Sequence, residues 1–172
     1  LQTIAALLLG PALADRRELD EAERVFDELV ASCVARGDRF HLTVAYVNRS
    51  WLWTARGDLA QTEADLERVI QRAREGGVAF LERAGTHNLA EHRLWRGQLD
   101  PALALARRGL ALQARSGEGA TQPDRLLLAR VLAARGERDE LGAVLATLAG
   151  EAGLTDEERA TLAVLDAVAR DD

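Results

Sequence analysis

Ala55-Arg56-Gly57-Asp58-Leu59 returns as Trp95-Arg96-Gly97-Gln98-Leu99 and as Ala134-Arg135-Gly136-Glu137-Arg138, and Asp15-Arg16-Arg17-Glu18-Leu19 is a weaker first copy. The central residues Arg17, Gly57, Gly97 and Gly136 stand 40, 40 and 39 positions apart. A near-constant period of this length marks stacked repeats, in which each repeat is one supersecondary element that buries its apolar face only against its neighbours. The functional question therefore concerns which surface binds rather than which cleft reacts.

Helix-period patterns run between the breaks, and strand-like alternation is hard to find. Leu19, Ala22, Val25, Phe26, Leu29 and Val30 fall three or four residues apart, along one face of an amphipathic helix. Leu59, Leu66, Val69 and Ile70 repeat the pattern, as do Leu99, Ala102, Leu105, Ala106 and Leu110. The glycine of each phrase sits where a helix ends in a left-handed residue. First helices are predicted near 1–15, 40–55, 79–95 and 123–135, and second helices near 18–35, 58–74, 98–114 and 137–149. The breaks at Gly37-Asp38, at Gly76-Gly77 and from Gly117 to Asp124 separate one pair from the next. Thr155-Asp156-Glu157-Glu158 reads as a capping box opening a last helix near 156–170, with Leu162, Leu165 and Val168 available to seal the stack. Pro11 conflicts with the first helix, which it should kink or restart.

Composition narrows the class. Of 172 residues, 48% are hydrophobic, enough for a continuous core, and only 4% are aromatic. The formal charge is −6, with acidic and basic residues interspersed, so the basic stripe of a nucleic-acid binder is missing. The longest apolar run, Ile4–Leu9, is too short for a membrane span and lacks the flanks of a signal peptide. The single cysteine, Cys33, rules out an internal disulfide and reads as a small buried hydrophobe in a reducing, cytoplasmic setting. All 22 basic residues are arginine and methionine does not occur, which points to a GC-rich bacterial genome and a segment of a longer polypeptide.

Aligned on the turns, the repeats resemble the tetratricopeptide repeat, a helix–turn–helix whose first helix lines a concave groove. Tyr46, Asn48, Ser50, Trp53, Gly57-Asp58 and Leu66 carry the resemblance in the second repeat, and Asn88-Leu89-Ala90, Gly97 and Ala102 in the third. The first repeat offers Gly10, Ala22 and Phe26, the fourth Ala129, Gly136 and Leu145. The small residue after the turn is Ala22 or Ala102 in two repeats but Thr62 and Leu141 in the others. The period of 40 exceeds the usual length of about 34. It looks like the longer variety found beside ATPase, kinase, cyclase or DNA-binding domains in large bacterial regulators. The resemblance implies an all-α, right-handed α-α superhelix of about four helix pairs with a C-terminal capping helix. It would span 1–172, with repeats near 1–36, 37–76, 77–117 and 118–150 and the cap at 154–170.

The same resemblance marks candidate binding residues. The only two asparagines, Asn48 and Asn88, occupy one position of consecutive repeats, where the family often bonds the backbone or terminal carboxylate of a bound peptide. The alternative role for that amide is a bond to the neighbouring helix. Val44, Val47, Trp51 and Thr54 should face the groove, with Ala84, His87, Glu91 and Trp95 in the next repeat and Leu126 and Arg130 in the fourth. Trp51 and Trp95 would supply apolar anchors or else pack between helices. Arg130 matches a carboxylate-clamping position, but Val44 and Leu126 stand where clamp lysines would be, so a looser polar and aromatic groove is expected.

Other chemistry is thin. His87 and Glu91, one turn apart, lack a third metal ligand, and no phosphate-cradling glycine loop occurs. Arg-Gly-Asp at 36–38 and 56–58 falls at helix junctions and reads as coincidence with an adhesion motif. The mixed charges around Asp20, Glu21, Glu23 and Arg24 read as a solvated convex face. The expectation is a non-enzymatic module without cofactor or metal that binds a protein or peptide, or other domains of its own polypeptide. The alternatives are a small-molecule inducer sensor and a structural spacer that self-associates through open ends.

Overall fold

Left-handed residues punctuate the chain where the repeated phrase places them. Arg17, Gly57, Gly97 and Gly136 have φ of 65, 78, 69 and 72°. At each, the N–H reaches the carbonyl three positions back and the next N–H reaches five back, as Gly57 does to Thr54 (3.0 Å) and Asp58 to Trp53 (2.9 Å). This double bond closes the helix C-terminus and turns the chain into the next helix. Arg17 adopts the conformation without being glycine, at some backbone cost. Its guanidinium donates to the Ala55 carbonyl at 2.9 Å, a bond glycine could not make.

The computed structural model describes residues 2–116, 122–150 and 153–170. Among them are nine helices and no strand: α1 (Gln2–Asp15), α2 (Leu19–Arg36), α3 (Arg39–Arg56), α4 (Leu59–Glu75), α5 (Ala79–Trp95), α6 (Leu99–Ser116), α7 (Gln122–Arg135), α8 (Arg138–Ala149) and α9 (Asp156–Arg170). The chain divides into two compact units, Leu1–Gly85 and Thr86–Asp172, with the division inside α5. In the first unit α1 packs on α2 and α3, α2 on α3, and α3 on α4. In the second, α6 packs on α7, α7 on α8, and both α7 and α8 on α9. Consecutive helices thus pair as an all-α helical repeat. The expected break from Gly117 to Asp124 lies partly outside the described residues, since 117–121 are not among them.

The first pair closes where a small residue meets a large one. Gly10 lies against Phe26 so tightly that a Cβ there would stand 2.6 Å from the ring. The same two positions of later repeats hold Ser50 and Leu66, Ala90 and Ala106, and Ala129 and Leu145, all buried. Glycine occurs at the first position only in the repeat whose second position holds a ring. The arginine of the repeated phrase also has a structural use. Arg56 bonds Asp20 (2.6 Å) and Glu23 (2.8 Å) in the preceding second helix, and Arg135 pairs likewise with Asp100. Asp20 and Glu23, expected only to face solvent, are therefore partners of this link.

Capping follows the sequence closely. Asp38 accepts from the His41 N–H (3.2 Å) and Asp58 from the Gln61 N–H (3.0 Å), so both Arg-Gly-Asp aspartates are helix caps. Thr155 and Glu158 form the reciprocal bonds of a capping box, at 2.7 and 3.2 Å. Two apolar assignments fail. Leu59, unlike Leu19 and Leu99 at the same place in α2 and α6, is 43% exposed, and Val168 is 42% exposed while Leu165 of the same helix is buried.

Candidate functional site

Pro11 neither ends nor restarts α1, which runs unbroken from Gln2 to Asp15. A residue at position 11 would normally donate its N–H to the Leu7 carbonyl, and proline has no N–H to give. Asn48 supplies the missing donor: its Nδ2 lies 3.0 Å from the Leu7 oxygen. Of the two readings open for this asparagine, the bond to the neighbouring helix is the one made. Asn88 occupies the equivalent place in α5, is half-buried, and makes no side-chain hydrogen bond among the described residues.

The other first-unit candidates lie on the same helix as Asn48. Trp51 is 48% exposed, and its Nε1 donates to Asp15 at 2.8 Å, which fixes the indole at the surface. The Thr54 hydroxyl donates to the Ser50 carbonyl at 2.9 Å and lies 3.3 Å from that of Thr62. It serves the inside of the pair.

In the second unit α5 and α7 are joined by two polar side-chain contacts. His87 Nδ1 lies 2.7 Å from the Asp124 carboxylate, which is 5% exposed, and Arg130 donates to Glu91 at 2.6 Å. Three of the expected ligand-facing side chains, His87, Glu91 and Arg130, are thereby engaged in holding helices together. Trp95, at the end of α5, is 55% exposed. Val44, Val47, Ala84 and Leu126 are all half-buried, as residues on the margin of a helical face are. Among the described residues no group of three or more His, Cys, Asp and Glu could hold a metal ion. No helix among them is long and apolar enough to cross a membrane.

The sequence reading missed a buried charge. Asp65 is fully buried in α4, yet its two oxygens receive Arg49 Nε (2.8 Å), Arg49 Nη2 (3.0 Å), Arg68 Nη1 (2.7 Å) and Trp53 Nε1 (2.9 Å). The guanidiniums of Arg49, Arg68 and Arg72 surround the Tyr46 ring at 5.2, 5.7 and 5.8 Å from its centre. Desolvation works against the Arg49 charge, but the hydrogen bonds and charge of Asp65 outweigh it and raise the Arg49 pKa. A signal was present. The positions of Arg49 and Asp65 hold Leu9 and Val25, Leu89 and Leu105, and Leu128 and Val144 in the other repeats. Two charges replacing two apolar residues in one repeat should have been read as a pair.

Elsewhere titration follows local geometry. Burial raises the Cys33 thiol, assisted by the Asp38 charge and opposed by Arg36, so the thiolate is suppressed. The His41 N–H at its cap holds the Asp38 carboxyl below the ordinary aspartate range. Comparison with protein-family models, curated proteins and solved structures finds no match to the chain.

Proposed function

We propose that the chain is a non-catalytic, tetratricopeptide-like binding module of a larger bacterial regulator, taking up a protein or peptide partner in the cytoplasm. The observation that supports this most is the pair of half-exposed indoles, Trp51 in the first unit and Trp95 in the second. A tryptophan left at the surface costs apolar hydration, and its large rigid face is the commonest kind of binding anchor. Trp51 is additionally oriented by Asp15, so its face is presented without further ordering. Asn88 lies on the same helix as Trp95 with its amide unengaged among the described residues, and can bond a partner's backbone. The resemblance in repeat phrase and period supplies the family.

Selection of displayed peptides on the whole chain tests this. Each selected peptide is remeasured by fluorescence anisotropy on Trp51→Ala, Trp95→Ala and Asn88→Ala. Losses on the order of tenfold are expected from at least one indole, with helical circular dichroism unchanged. Peptides that bind all three variants as tightly as the parent would remove the basis of the reading.

A second reading, self-association, has its own observation. From Gln2 to Ala14, α1 carries no charged side chain, yet Ile4, Leu8 and Leu9 are 57, 71 and 48% exposed. A helix apolar on all sides is ordinarily covered on all sides. A groove of about 440 Å³ lined by Ala5, Ala6, Leu9, Val25 and Leu29 lies beside it. Sedimentation velocity over a concentration series should show association that Leu8→Glu abolishes; a monomer throughout would exclude this reading.

A further inference from the structure

Phe40 and Phe80 are one repeat apart, each the second residue of its first helix, in α3 and α5. Both are about half exposed, at 45 and 48%, and their ring centres are 6.2 Å apart. Beside them opens a cavity of about 300 Å³, with an apolar wall of Phe40, Val78 and Leu81 and a polar rim of Arg39, Arg72 and Glu75. All of it belongs to the first unit. Single exposed hydrophobes need no explanation, but two aromatic rings at equivalent positions beside one cavity form a patch.

The rim is not electrically neutral. Arg39 pairs with Glu75 at 3.5 Å, which accounts for both charges. Arg72 lies over the Tyr46 ring and has no carboxylate partner among the described residues. One positive charge is left beside an apolar wall. We propose that this cavity docks a peptide segment carrying an aromatic side chain next to a carboxylate, the ring against Phe40 and Phe80 and the carboxylate on Arg72. The carboxylate is the segment's own C-terminus, on the same residue as the ring. The site is distinct from the indole surfaces above and stands or falls without them.

The probe is N-acetyl-para-fluorophenylalanine, a single residue carrying both groups, titrated into the whole chain and followed by fluorine NMR. Its amide, which lacks the charge, is the comparison. The acid should bind the parent chain about two- to fivefold more tightly than the amide, the range of a solvent-exposed ion pair. Arg72→Gln should erase that preference and leave the amide's affinity unchanged. Phe80→Ala and Phe40→Ala, each at a half-exposed position, should weaken both ligands, while Trp51→Ala and Trp95→Ala should leave both as they were. Equal binding of acid and amide to the parent, no binding of either, or undiminished binding to Phe80→Ala would each overturn the proposal.

Discussion

Replacing Asn48 by alanine should destabilise the first unit only as long as Pro11 is present. The Asn48 amide donates at 3.0 Å to a carbonyl, Leu7, whose helical donor proline has removed. Removing the amide leaves that acceptor to whatever water reaches a half-buried site. A lost hydrogen bond of this kind costs about 1 kcal/mol, and more if the acceptor stays dry. Pro11→Ala restores an N–H four residues after Leu7, so the carbonyl regains its own helical bond. In that background Asn48→Ala should cost no more than about 0.3 kcal/mol, giving a coupling of about 1 kcal/mol between two residues distant in sequence. Chemical denaturation of the four proteins of the cycle, followed by circular dichroism, measures it. Changes that proline makes to the unfolded chain cancel in the cycle. An Asn48→Ala cost equal in both backgrounds would refute the replacement of one donor by the other. It would also return Asn48 to the list of ligand-binding candidates.

Two further outcomes follow from packing. Asp65→Ala should destabilise the chain by about 3 kcal/mol, the low end for breaking a buried pair, because it leaves the Arg49 guanidinium, only 11% exposed, with the exposed Asp27 carboxylate at 3.2 Å as its remaining acidic partner. Arg49→Leu with Asp65→Val, the pairing of the first repeat, should recover most of that loss in denaturant melts; a double variant as unstable as the single one would contradict it. Gly10→Ala should cost about 1–3 kcal/mol, since its Cβ would enter the Phe26 ring, and Phe26→Leu, the residue at the equivalent position of the second repeat, should suppress the defect. Thermal denaturation of both variants decides, and additive losses would speak against a shared clash.

Most of the helical framework was legible because it depends on local chemistry. A left-handed residue at Gly57, Gly97 and Gly136 needs only the flanking helices to be recognised, and Thr155 with Glu158 states its own cap. The sequence could not show which residues a side chain meets across 16 or 41 positions, the separations of Asp65 from Arg49 and of Asn48 from Leu7. Leu59 and Val168 misled for a related reason. Periodicity says which face of a helix is apolar, not how far along the helix that face is covered. The indoles were identified from sequence as exposed or interhelical, and only the exposures of 48 and 55% separate the two roles.

Residues that the repeat phrase does not explain sort into two kinds, and the difference bears on function. Pro11 is answered by Asn48, Asp65 by Arg49, and Phe26 by Gly10. Each change has a partner that restores a hydrogen bond, a charge or a volume, so folding alone accounts for it. Trp51, Trp95, Phe40 and Phe80 are not answered in this way. Each keeps roughly half of its surface in water, and apolar surface left in water earns nothing for stability. The Asp15 carboxylate fixes the Trp51 indole without covering it, which orders the ring and leaves its hydration cost in place. Arg72, which lines the same cavity as Phe40, adds a charge with no opposing carboxylate among the described residues. Residues whose cost the fold does not offset are the ones whose substitution should alter binding more than stability, and stability and binding measured on the same variants separate the two kinds.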